Sequence, residues 1–425
     1  MNYAAGTTAG LPDMTLSDNE IKVFLSLLEA GLWGRAPEDL TPFPLGRESW
    51  DRILYMSMRQ TVTGIVYDGL HSLPDSFLPP VDLLVKWTAE VDSIERKNVG
   101  MNRVLAELYT LFRQHGFSPV LQKGQGVALM YSRPLMRECG DIDFCFSTGE
   151  ELREAALLME SLGCRTETLP DGSVFYRWKG VAVEHHDRLF DLHSPLLRKY
   201  IRSLIDEYGF SEVTLPAGQG LSGCSSAGSP SVDGEAGDGD GVILTVPSPM
   251  LNLLMLNSHV LKHAVGLGIG MRQICDMAVA CARLHDRVDP DEMARVERRT
   301  GIARWSRTLR SFMVHYTGLD PELLPHAGED SRSAAALLEM VLKGGNFGHV
   351  RRRGIPSPRT GQRRPGTAGK QPGTTSHGTG RGLWRRKLET MSSFIAHSSF
   401  SMKVAPAETF WTFTALAAGQ ILHRR

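Results

Sequence analysis

The sequence predicts an α+β fold: a small mixed β-sheet core with helices on one side, preceded by N-terminal helices and followed by a C-terminal helical domain. Three observations predict it. Apolar residues recur at helical spacing through most of residues 17–116 and again from Pro247 onward. Between these regions, short segments rich in strand formers alternate with glycine turns. Two stretches rich in Gly and poor in apolar residues, 217–241 and 351–387, set the helical domain off from the core and from the C-terminal segment.

Residues 1–16 read as a flexible arm. Ser17-Asp18-Asn19-Glu20 is a capping box ahead of Ile21, Phe24, Leu25 and Leu28, so a helix starts there and stops at Gly31 and Gly34. Trp50, Ile53, Leu54, Met58, Val62, Ile65, Val66 and Leu70 predict a second helix over 48–73, with a kink as an option. After the prolines of 74–80, a long pattern over 81–115 predicts a helix closed by Gly116. It completes an N-terminal helical region, 17–116, and feeds the core at 117–216.

The core begins with a strand at Pro119-Val120-Leu121, a turn at Lys123-Gly124-Gln125-Gly126 and a helical segment at 127–131. A helix over 150–162 ends at Gly163, and two strands, 174–178 and 181–186, form a hairpin through Lys179-Gly180. Residues 217–241 are an acidic Gly/Ser loop. The helical domain, 242–350, places helices from Pro247 and over 292–296, 303–316 and 334–342. Gly266, Gly268 and Gly270 lack the GxGxxG spacing and no strand precedes them, which excludes a dinucleotide loop. Residues 351–387 form a basic linker without Asp or Glu, and a partly helical segment, 388–425, packs on the helical domain.

Length and charge set bounds on function. A chain of 425 residues has room for two or three domains. Acids and bases balance at 47 each, so global charge points to neither nucleic acid nor membrane. No segment reaches the roughly 20 apolar residues of a membrane span. The six cysteines show no CxxC pair, and the N-terminus has no signal-peptide pattern, so a reduced cytoplasmic protein is expected. The basic linker is the one candidate contact with RNA or another acidic surface; without an interleaved aromatic platform, the plain-linker reading is preferred.

The chemistry concentrates at Gly140-Asp141-Ile142-Asp143-Phe144. Alternation by two puts Asp141 and Asp143 on one face of a strand. Paired carboxylates that are partly buried repel each other and need a cation, and oxygen ligands favour Mg²⁺, with Mn²⁺ as the alternative. Against this stands the plain reading of two solvated acids at a strand end. The Lys123–Gly126 turn ahead of a helix offers backbone N–H groups for phosphate, and Lys123 adds a charge. Arg137 is a forked donor for an acid or a phosphate oxygen. A histidine site from His185, His186 and His193 is disfavoured, because adjacent residues on a strand face opposite ways.

Lys123-Gly124, Tyr131, Pro134, Arg137 and Gly140-Asp141-Ile142-Asp143 together resemble the bacterial family of uncharacterised nucleotidyltransferases, a branch of the DNA polymerase beta-like nucleotidyltransferase superfamily. The chain departs from the superfamily at the turn, where Gln125 stands in place of a serine. The resemblance implies a nucleotidyltransferase core that uses Mg²⁺ to move an NMP group from an NTP to an acceptor, with release of pyrophosphate. The acceptor stays open among protein, RNA, sugar and small molecule.

The resemblance also implies roles. Asp141, Asp143 and a third acid hold metal and carry catalysis. Glu184, on an acid-x-His strand with His186, is the expected third acid, and Asp191 competes with it. Lys123, Gly124, Gln125, Gly126 and Arg137 hold phosphates. His263, Arg272 and Asp276 resemble the family's second block, where Arg272 or His263 touches the nucleotide; the structural alternative is that Arg272 and Asp276, four apart on a helix, pair with each other. A different class of function also remains: a nucleotidyltransferase-like domain that binds a nucleotide or protein partner without turnover.

Overall fold

Ser17 caps the first helix as its sequence dictates. Its hydroxyl accepts from the Glu20 N–H at 3.3 Å, and the Glu20 carboxylate accepts from the Ser17 N–H at 2.9 Å. That helix, α1 (Asp18–Trp33), stops at Gly34 in the left-handed region. The structure, a computed structural model, describes residues 15–169, 171–216, 241–266, 268–326, 328–344 and 399–422. The readings of residues 1–14 as an arm, of 217–240 as an acidic loop and of 351–387 as a basic linker lie outside these.

The single helix expected over 48–73 is two, α2 (Arg47–Arg59) and α3 (Thr63–Leu70). The chain breaks at Thr61, a β-branched residue at φ 54°. Tertiary contacts hold the break. The Gln60 amide donates to the Val341 carbonyl at 2.8 Å and accepts from the Met271 N–H at 2.9 Å. Apolar spacing alone hides this, since both helices bury the same stripe in one core.

The long helix appears as α4 (Val81–Gln114) and joins two cores. Leu83, Trp87 and Val91 enter a large helical core, while Met101, Leu105, Leu108 and Phe112 lie under the sheet. The sheet contains β1 (Val120–Leu121), β2 (Ile142–Cys145), β3 (Glu167–Thr168), β4 (Val174–Trp178) and β5 (Val181–His186), in the order β1-β2-β5-β4-β3. Within it β2 and β5 run parallel and the other neighbours antiparallel, which makes the sheet mixed. Between β1 and β2 lies the one-turn helix α5 (Gln125–Ala128), and after β2 comes α6 (Gly149–Ser161), whose Leu152, Ala155 and Met159 join the sheet core. Lys179 and Gly180 both take positive φ, 49° and 84°, as a two-residue hairpin turn requires.

Beyond α7 (Arg198–Tyr208) the chain forms a ribbon that the sequence reading missed. β6 (Phe210–Leu215) pairs antiparallel with β7 (Val242–Pro247) from Phe210↔Pro247 to Leu215↔Val242. The Tyr109 hydroxyl of α4 meets Thr245 Oγ1 at 2.9 Å, and Leu215, Leu244 and Val246 join the sheet core.

The helices α8 (Pro249–Val265), α9 (Met271–Leu284), α10 (Pro290–Thr300), α11 (Ala303–Thr317) and α12 (Ser331–Gly344) come next. They share one core with α1–α3. The last helix, Pro406–Leu422, packs through Glu408, whose carboxylate accepts from the His193 N–H at 2.7 Å. No helix among the described residues is long and apolar enough to cross a membrane. The five described cysteines are all free thiols.

Candidate functional site

Pairing in register builds the site. Parallel β2 and β5 place Asp143 beside Glu184 and Phe144 beside His185. Residues two apart share a face, so Glu184 and His186 stand on the side of Asp143. His185 points the other way. It is fully buried, bonded through Nε2 to the Tyr176 hydroxyl at 2.9 Å, and its ring lies 5.3 Å from Phe112 and 4.8 Å from Phe146. Burial, and then the neighbouring His186, lower its pKa to about 3.

On the polar face, His186 Nε2 lies 2.9 Å from Asp143 Oδ1 and 3.6 Å from Glu184 Oε2. One ligand atom from each of Asp143, Glu184 and His186 falls within 4.8 Å of the others. Lys123 Nζ donates to Asp143 Oδ1 at 3.2 Å. Against the cost of burial, Lys123 and then His186 hold Asp143 well below the usual carboxylate range. Glu184 moves the opposite way, raised by burial and by Asp143 and Asp141. Asp141, one residue before β2, is raised by the Asp143 charge first and burial second. Three acids thus crowd one lysine, and the surplus negative charge with two carboxylates and an imidazole suits a divalent cation. The nitrogen donor departs from the oxygen-only set expected from the sequence.

A family model for the uncharacterised nucleotidyltransferases matches residues 46–318. The chain belongs to that family. The match runs from just before α2 to the end of α11, so it spans the sheet and most of the helical core. Comparisons with curated proteins and with solved structures gave no match.

The turn of Lys123–Gly126 follows β1. Gly124 takes φ 58°, and a Cβ there would come within 3.3 Å of the Asp141 carbonyl oxygen, so glycine lets the turn approach the acid strand. The Gly126 N–H donates to the Lys123 carbonyl at 3.1 Å. Gln125 is buried, and its amide has no hydrogen-bond partner among the described residues. Burial opposes the Lys123 charge, but Asp143, Asp191 and Asp141 raise its pKa.

Arg137 sits elsewhere. Its guanidinium forks onto Asp276, Nε to Oδ1 at 3.0 Å and Nη2 to Oδ2 at 2.5 Å, and the Tyr131 hydroxyl donates to the same carboxylate at 2.8 Å. It reaches Asp141 through its field alone. The Arg272–Asp276 pair offered as the structural alternative does not form, because Asp276 is already occupied. Arg272 donates instead to the Glu138 carbonyl at 2.6 Å, leaves Nε without a partner among the described residues, and lies within electrostatic reach of Asp141. His263 packs edge-on to His259 at 4.6 Å.

Asp191, the competing acid, stands apart from the acid pair. His259 Nδ1 lies 2.9 Å from its Oδ2 and Lys262 Nζ donates to its Oδ1 at 2.8 Å. These partners keep it well below the usual carboxylate range despite burial. Two cavities, of about 390 and 340 Å³, lie beside Tyr208 and Trp33, and none of their lining residues belongs to the acid cluster. The chemistry of the donor set therefore locates the site better than cavity size. Sequence reading weighed His186 as a metal ligand only together with His185 and His193, a site it disfavoured, and did not join it to Asp143 and Glu184. Its signal was the Glu-x-His alternation.

Proposed function

We propose that the protein is a metal-dependent nucleotidyltransferase that moves an NMP group from an NTP to an acceptor and releases pyrophosphate. The observation that carries this reading is the Asp143–Glu184 register on adjacent parallel strands, with His186 and Lys123 on the same carboxylate. Asp143, Glu184 and His186 would hold the cation, with Asp141 beside them; Mg²⁺ is the expected ion and Mn²⁺, more tolerant of an imidazole, the alternative. Such a cation offsets phosphate charge and acidifies the attacking group.

The chain's own residues do the rest. Lys123 draws the phosphates as a cation held beside the acids, and Gly124 keeps the turn close to them. Glu184, in register beside Asp143 on β5, takes the proton of the acceptor. Arg272, within electrostatic reach of Asp141, adds positive charge for the nucleotide, while Arg137 fixes the α9 residue Asp276 against the segment before β2. The acceptor is a protein, RNA, sugar or small molecule, and the setting is cytoplasmic.

A second reading is a domain that binds a nucleotide or partner without turnover. It is favoured by the double occupation of Asp143 Oδ1 by Lys123 and His186, which resembles an internally neutralised acid. The deciding experiment incubates the pure protein with Mg²⁺ or Mn²⁺ and each of four labelled NTPs. Pyrophosphate release or label transfer is expected; nucleotide binding without either outcome supports the second reading.

A further inference from the structure

Between β2 and α8 the charged side chains alternate in sign. Asp143 carries Lys123 at 3.2 Å, and Lys123 is within the field of Asp191 as well as Asp143. Asp191 then carries Lys262 on one oxygen at 2.8 Å and His259 on the other at 2.9 Å. The Asp191 backbone is itself fixed, its N–H donating to Ser258 Oγ of α8 at 3.3 Å. The His259 ring is fixed in turn by the His263 ring 4.6 Å away.

This arrangement differs from a structural ion pair. The Lys262 side chain is 30% exposed and that of Lys123 is 20% exposed, so neither is sealed in the interior as Arg137 is. Asp191 takes one of the three donors of Lys262, and no other hydrogen bond to Lys262 Nζ is made among the described residues. An ammonium aimed by Asp191 and left with unused donors suits anionic oxygens.

We propose that Lys262 is a phosphate-contacting residue: it takes oxygens at the far end of a polyphosphate whose near end is held by Lys123, with Asp191 and His259 as the positioning residues that aim it. This rests on the nucleotidyltransferase reading above and extends the triphosphate site onto α8, on the helical side of the molecule. The polyphosphate is the triphosphate of the NTP before transfer and the pyrophosphate after it. Contacts to this non-reacting end help to hold the nucleotide in place.

The test measures binding of a non-hydrolysable NTP and of the matching NMP, both with Mg²⁺, to the full chain and to Lys262→Gln and Lys262→Arg. Loss of one charge-assisted contact should weaken NTP binding by about tenfold or more. NMP binding should not change, and Lys262→Arg should recover most of the NTP affinity. In parallel, an amine-acylating reagent is mapped on the wild-type chain, which needs no variant to fold. The NTP analogue should shield Lys123 and Lys262 and leave Lys86 on α4 reactive. If the wild-type chain binds no nucleotide, the transferase reading and this inference both fall. Should it bind the NTP analogue with Lys262 unshielded, or with Lys262→Gln binding as tightly as wild type, the role of Lys262 falls and the transferase reading stands.

Discussion

Asp276 and Asp143 are both buried carboxylates that face cations, and their surroundings differ in one respect. Asp276 receives both arms of Arg137 and the Tyr131 hydroxyl, in a pocket where the two charged side chains are 4% and 6% exposed. Each charge there has an opposite. Asp143 receives Lys123 and His186 on a single oxygen, and Asp141 and Glu184 still press on it with like charge. A carboxylate that stabilises a fold is one whose charge its neighbours cancel; a carboxylate set for chemistry leaves charge to be answered by a ligand.

Variants at the two sites should separate these roles, beginning with the larger effect. Arg137→Met leaves Asp276 buried without its ion-pair partner, and should cost about 3–5 kcal/mol of stability in urea denaturation. A loss under about 1 kcal/mol would mean that the two acids are not different in kind. Asp143→Asn should lower pyrophosphate release by about a hundredfold or more, with an unchanged far-UV circular dichroism spectrum. Retained activity there would remove the distinction from the other side.

Smaller shifts sharpen it. Asp141 has a raised pKa in the fold, so at neutral pH its ionised form opposes folding and the opposition disappears at acid pH. Asp141→Asn should therefore leave the melting temperature at pH 7 unchanged or slightly higher without divalent metal, and lower than wild type when the metal is added. Glu20 supplies the contrast. Burial would raise its carboxyl, but Arg52, Ser49 and Ser17 bring it from 4.5 to about 2. Its contribution is complete above pH 4.5 and is lost as pH falls towards 2, so Glu20→Gln should flatten the acid limb of a stability–pH curve over that window.

What the sequence made legible was what local periodicity records. The strand of Asp143 and the Glu184-x-His186 strand come from alternation by two, although Asp141 falls just before β2; the hairpin comes from its Lys179-Gly180 turn and α4 from spacing near 3.6. Partnerships across the chain were not legible. Arg137 finds Asp276 at a separation of 139 residues, and nothing near either residue announces the other. The Arg272–Asp276 pair was the natural local guess, and a distant, better-shaped donor displaced it. Thr61 breaks a helix whose apolar stripe runs on unbroken, because Gln60 is held by Val341 and Met271. β6 and β7 went unread because pairing Phe210 with Pro247 requires knowing that both ends of a long insertion return to one place.

His185 gives the site a dependence on the interior of the protein. Its imidazole, locked between Tyr176 and the phenylalanine rings, works as an alignment key for β5. A slip of one residue would drive Glu184 into the aromatic cluster and swing His185 out beside Asp143. Fidelity of the acid constellation is thus guarded from the far side of the sheet, and softening that side, as with Phe144→Ala, should blur the chemistry without touching any residue that performs it.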